Sequence, residues 1–187
     1  MGYKNDIKLE QEFARIIKSI LGNQFITQDR DADLFQATDF LVLTFRQFKV
    51  AVRLRRFNEH YGRYKNEFTV RWTRPSGTKT EIDKIREGGA DYLLYGFVIP
   101  EERKIISYFI ADLLVFRACN PKPIQVFQNK PPDSELAVFN LDHLPKNFIK
   151  KSYTVSDAEI ARYLKRGGSN GTHSSGSKQK NQMPALW

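Results

Sequence analysis

Glu12, Asp39 and Arg53 are residue types that carry phosphodiester chemistry, and they fall in that order in the first third of the chain. Carboxylates can hold Mg²⁺, and a fixed cation steadies the charge that grows on a scissile phosphate. Rival chemistries lack their parts. His60, His143 and His173 lie far apart and share no ligand spacing with Cys119, so spacing argues against a structural zinc site. Cys119, in an apolar neighbourhood, reads as a core residue. Gly88-Gly89 closes a helix instead of opening one, which removes a phosphate-cradling loop. Plainer roles compete for the carboxylates: Asp39 can close a turn and Glu12 can be a solvated helix residue.

Charge points the same way. The chain carries 30 Lys and Arg against 21 Asp and Glu, a net +9. Nine basic residues fall between positions 46 and 74: Arg46, Lys49, Arg53, Arg55, Arg56, Arg63, Lys65, Arg71 and Arg74. Only Glu59 and Glu67 oppose them, so nine minus two leaves +7 of the +9 in 29 residues. Such a concentration is the footprint of a polyanion binder, and the basic strands are expected to line a surface for phosphates. Tyr61, Tyr64 and Trp72 interleave with the run and could stack on bases, although Trp72 serves equally well as core. An anionic membrane is the rival partner, but it calls for a basic amphipathic helix, and this stretch alternates like strands.

The elements that must position these groups follow from periodicity. Leu9, Phe13, Ile16, Ile17, Ile20 and Leu21 form one helical stripe, with Asn5 or Asp6 as its cap and Gly22 as its end. Residues 40–45 read as a buried strand. From Phe48 to Arg55 the pattern alternates, with Phe48, Val50, Val52 and Leu54 on one face and Lys49, Ala51, Arg53 and Arg55 on the other. Residues 68–72 predict a third strand. Thr78 and Glu81 make a capping-box pattern for a short helix that stops at Gly88-Gly89. Residues 92–99 predict another strand, while 105–116 suits either a helix or a strand. Four prolines between Pro121 and Pro132 predict a loop, with residues 124–127 as an edge strand. Ser156 caps a last helix, 157–165, closed by Gly167. The fold class expected is α/β (or α+β): a central mixed β-sheet flanked by helices. Residues 1–166 form one basic domain and 167–187 a flexible tail, whose Leu186 and Trp187 could dock on a protein partner.

The run from Glu12 to Arg56 resembles the PD-(D/E)XK nuclease core of restriction-endonuclease-like proteins and archaeal-type Holliday junction resolvases. Glu12-Phe-Ala-Arg-Ile-Ile matches the helical element, Ala37-Thr-Asp39-Phe-Leu-Val the aspartate strand, and residues 50–55 the strand of the E-x-K signature. The resemblance implies a restriction-endonuclease-like fold, Mg²⁺, DNA before RNA as substrate, and pairing into homodimers. The sequence departs from the pattern at two places. Ala51 stands where the family has its second acid, and Arg53 where it has lysine. Alanine cannot ligate a metal, and arginine stays protonated and cannot act as a base on water. Some members of the family carry the acid on a neighbouring helix, which makes Glu81 the candidate here. The site implied is then Asp39 and Glu81 on Mg²⁺, with Arg53 and Glu12 beside them. Thr80-Glu81-Ile-Asp-Lys84-Ile and Gly89-Ala-Asp91-Tyr-Leu-Leu-Tyr95-Gly96 are also similar to strings in uncharacterised phage proteins.

Two functions compete. One is Mg²⁺-dependent hydrolysis of DNA, with Arg46, Lys49, Arg53, Arg55, Arg56, Arg63, Arg71 and Arg74 holding phosphates. The other is an inactive, nuclease-derived module, or a phage-encoded factor, that binds nucleic acid or a host protein. A single cysteine, the lack of an apolar run of about 18 residues, and an N-terminus without a signal peptide predict a cytoplasmic protein and no membrane partner.

Overall fold

The computed structural model describes residues 3–21, 26–28, 40–43, 47–129 and 133–168. Asp39, Arg46, Gly22, His173 and the tail from residue 169 onward therefore lie outside the described residues.

Helix α1 spans Tyr3–Leu21, so Asn5 and Asp6 lie within it instead of capping it. Its stripe works as the spacing predicts: Leu9, Phe13 and Ile17 are buried against Val50, Val52, Leu54, Leu94, Val98 and Ile105. Strands β1 (Ile26–Gln28), β2 (Phe40–Leu43) and β3 (Gln47–Arg56) follow as an antiparallel meander. Strand β5 (Tyr92–Ile99) pairs parallel with β3, and β6 (Lys104–Asp112) and β9 (Ile149–Thr154) add antiparallel strands beyond it. The result is a mixed six-stranded sheet in the order β1-β2-β3-β5-β6-β9, the mixed sheet that the pattern predicts.

A second sheet was not anticipated. Strand β4 (Glu67–Thr73) leaves the first sheet and pairs with β8 (Glu135–Asn140), which pairs in turn with β7 (Gln125–Gln128). The core between the two sheets is aromatic. Phe68 stacks on Phe139 at 5.2 Å between ring centroids and meets Phe116 at 5.9 Å and Phe109 at 6.2 Å. Each such ring, removed from water, contributes roughly 1.5–3 kcal/mol. Strand β5 serves both cores, with Leu93, Tyr95 and Phe97 on one face and Leu94 and Val98 on the other, which explains its unbroken apolar run.

The connections are helical: α2 (Tyr61–Tyr64) between β3 and β4, α3 (Glu81–Arg86) before β5, α4 (Leu113–Cys119) after β6, and α5 (Asp157–Gly168) at the end. The ambiguous run 105–116 is in fact two elements. Strand β6 ends at Asp112, whose side chain accepts from the N–H groups of Leu114 and Val115 and so starts α4. Gly88 follows α3 with φ of +83°, as a helix-closing glycine should. Helix α5 runs through Gly167 to Gly168, past the stop expected of it. Cys119 is exposed, which corrects its reading as core.

Candidate nucleic-acid interface around the Arg53–Glu81 pair

Alternation places Ala51, Arg53 and Arg55 on the β3 face away from α1, as expected. That face does not look outward as a plain basic surface. Strands β3 and β4 lie in different sheets, and their arginines converge where the sheets meet.

Glu81 sits at the centre of this convergence. Its Oε2 lies 3.2 Å from Arg53 Nη2, both side chains being about 15% exposed (14% and 16%). The same oxygen accepts the Arg71 backbone N–H at 3.1 Å. Strand β4 is an edge strand, so its outward N–H groups need partners from elsewhere, and Glu81 supplies one. The β4–β8 register shifts between Arg71 and Thr73, a bulge beside this contact.

The helix start explains why Glu81 is available. The sequence pairs Thr78 with Glu81 as a capping box, but the N-cap is Thr80 and its box partner is Asp83. Asp83 accepts the Thr80 N–H at 2.9 Å, and the Thr80 hydroxyl donates to the Trp72 carbonyl at 3.0 Å. Glu81 is the first helical residue and points at Arg53 instead.

Around Arg71 the electrostatics are crowded. Burial and the neighbouring Arg53 and Arg74 guanidiniums all push its pKa down, while Glu81 and Asp133 pull it up. Its Nε is buried, with no hydrogen-bond partner among the described residues. Asp133 is held low chiefly by the Ser134 hydroxyl at 2.7 Å, then by Asn129 and by Arg71. Arg53, Arg71 and Arg74 thus act on one another beside Glu81 and Asp133 in a half-buried place. Sequence reasoning missed Asp133, because a residue in a proline-flanked turn has no local signal for a partner on β4.

The other predicted contacts divide. Arg55 donates through Nε to the Tyr95 hydroxyl at 3.2 Å and through Nη2 to Thr69. Together with Arg56, Asn58 and Glu67 it lines a small slot beside the cluster. Arg56 is exposed and pairs with Glu101 at 3.1 Å. Arg63 lies over the Tyr64 ring, 5.3 Å from its centroid. The Lys49 backbone N–H donates to Asp91 Oδ2 at 2.8 Å. Tyr61 and Tyr64 are buried, so neither projects from the outer surface as a stacking platform, and Trp72 packs against the core with Arg86 over its ring.

Of the predicted site residues, the structure brings Arg53 and Glu81 together with Arg71 and Arg74. Glu12 is exposed on α1, the helix that packs on the opposite face of the sheet. Asp39 is outside the described residues; its chain neighbour Phe40 pairs with Val50. Ala51 is buried in the inter-sheet core, so its position is apolar interior. Among the described residues, no three His, Cys, Asp or Glu side chains gather as a metal-holding group, and no helix is long and apolar enough to cross a membrane. No family model, curated protein or solved structure matches the chain.

Proposed function

We propose that the chain binds nucleic acid, DNA before RNA, by seating backbone phosphates at the Arg53–Arg71–Arg74 cluster, with Arg55 and Arg56 continuing the track. The observation that carries this reading is geometric: Arg53 and Arg71 meet at one carboxylate, Glu81, with Arg74 close enough to act on Arg71. Grouped guanidiniums are suited to holding phosphate oxygens. Arg46, Lys49 and Arg63 would extend the contact along the basic run.

Hydrolysis is the second step of the proposal. The contact of Glu81 with Arg53 supports Glu81 as the acid that the resemblance to PD-(D/E)XK nucleases would require beside the E-x-K strand. Mg²⁺ is commonly held by one or two carboxylates together with substrate phosphates. Glu81 and Asp39 are the protein ligands in this reading, and Glu12 is a further acid. The ion would polarise the phosphoryl oxygen and activate water. Arg53 would hold the scissile phosphate and neutralise its developing charge. It cannot take a proton from water, so it is not the base.

Incubating the full chain with DNA, with Mg²⁺ or with EDTA, tests both steps. Cleavage that needs Mg²⁺ and is lost in Glu81→Gln supports the enzyme. Cleavage unchanged by Glu81→Gln would refute the metal-site assignment.

A second reading has its own observation. Ala51 is packed in the core where the family's acid should project. A binding module without activity predicts salt-sensitive DNA binding and no Mg²⁺-dependent cleavage of any substrate.

A further inference from the structure

Where α2, the β6–β9 end of the large sheet and α5 come together, the fold leaves a cleft of about 410 Å³. That volume is typical of small-ligand sites. Aromatic residues line it: Tyr61 meets Phe97 edge-on at 5.0 Å, and Tyr95 stacks on Phe109 at 5.5 Å. Ser107, Ser152 and Thr154 also line it, with Lys65 and Asp157 as its charged residues. Tyr95 and Phe97 are shared with the slot that holds Arg55 and Arg56, so the cleft adjoins the guanidinium track.

We infer that this cleft takes one base of the bound strand, turned out of its stack, while the adjoining phosphate rests at Arg55 and Arg56. The inference rests on the nucleic-acid reading above and names how that surface selects its substrate. A base has apolar faces that pack on rings and an edge of donors and acceptors. Serine and threonine hydroxyls can donate or accept, so they meet either kind of edge group without choosing strongly among bases. Cations beside an aromatic, hydroxyl-lined cleft suit a nucleotide better than an alkyl chain, which would leave the hydroxyls unmet. Turning a base out costs least where it is unpaired, so single strands and mismatches are the substrates favoured.

The test uses the full chain and three probes: a single strand carrying 2-aminopurine, the same strand made abasic, and a nucleoside 5′-monophosphate. Ser152→Phe fills the cleft from the exposed edge strand β9, and Thr154→Phe is an independent second filling variant. The expected result is a loss of about tenfold or more in affinity for the base-bearing strand in both variants. Binding of the abasic strand should be unchanged, and the 2-aminopurine signal should be lost with the affinity. If base-bearing and abasic strands bind alike and neither variant matters, the cleft inference is overturned while the phosphate reading stands. If no strand binds, the phosphate reading fails by itself. Monophosphate binding that Ser152→Phe removes would still support the cleft, and its absence would overturn it.

Discussion

Glu81 touches Arg53 and Arg71 through one oxygen: Oε2 receives the Arg53 guanidinium at 3.2 Å and the Arg71 backbone N–H at 3.1 Å. One carboxylate thereby ties the large sheet to the edge of the small one and neutralises part of an arginine cluster. Glu81→Ala should destabilise the fold by about 2–3 kcal/mol, less than for a fully enclosed pair, because it leaves Arg53 and Arg71 facing each other. Urea melts check this, and Glu81→Gln, which keeps the acceptor, should lose less.

The reading of the helix start predicts unequal threonines. Thr80→Ala should cost about 1–2 kcal/mol, since it removes the N-cap of α3 and its bond to the Trp72 carbonyl. Thr78→Ala should change stability by less than about 0.5 kcal/mol. Equal losses at both positions would overturn the assignment of the cap.

Phosphate binding should depend on salt. Arg71→Gln should weaken DNA binding across all sequences and lower the slope of log affinity against log salt by about 1. Fluorescence anisotropy at several salt concentrations measures both quantities. An unaltered slope would remove Arg71 from the phosphate contacts.

Asp39→Ala should abolish Mg²⁺-dependent cleavage and leave DNA affinity nearly intact, because a metal ligand acts on the reaction more than on the backbone contacts. Gel assays of cleavage and binding on one preparation separate the two.

Glu67 carries a pH signature. Burial pushes its pKa up, with Arg63 pulling against it. A raised carboxyl binds its proton more tightly folded than unfolded, so its contribution is favourable at low pH and is lost as pH rises through the folded value. Glu67→Gln should therefore raise the melting temperature at pH 7, and the gain should vanish below the ordinary glutamate range. A gain that persists unchanged at pH 3.5 would assign the effect to packing instead.

Much of the architecture was legible locally. Period two in β3 separates Val50, Val52 and Leu54 from Ala51, Arg53 and Arg55, and period 3.6 selects the buried stripe of α1. Both are properties of a few consecutive residues. What covers each face is a long-range matter. Nothing in the basic run says that β4 leaves the sheet of β3, and that departure turns Arg53 and Arg71 from an open surface into a half-buried cluster. The helix start shows the same division. Thr78 and Thr80 both have an acid three residues on, so the local pattern permits either cap. The Thr80 hydroxyl finds two acceptors, Asp83 Oδ2 at 2.8 Å within the helix start and the Trp72 carbonyl at 3.0 Å on the edge of β4, and the second is a tertiary contact. The sequence alone determined which residues could be charged partners, since alternation and charge are written along the chain. Only the tertiary structure decided that Glu81 would meet Arg53, because that contact is made by two elements closed on each other through a separate sheet.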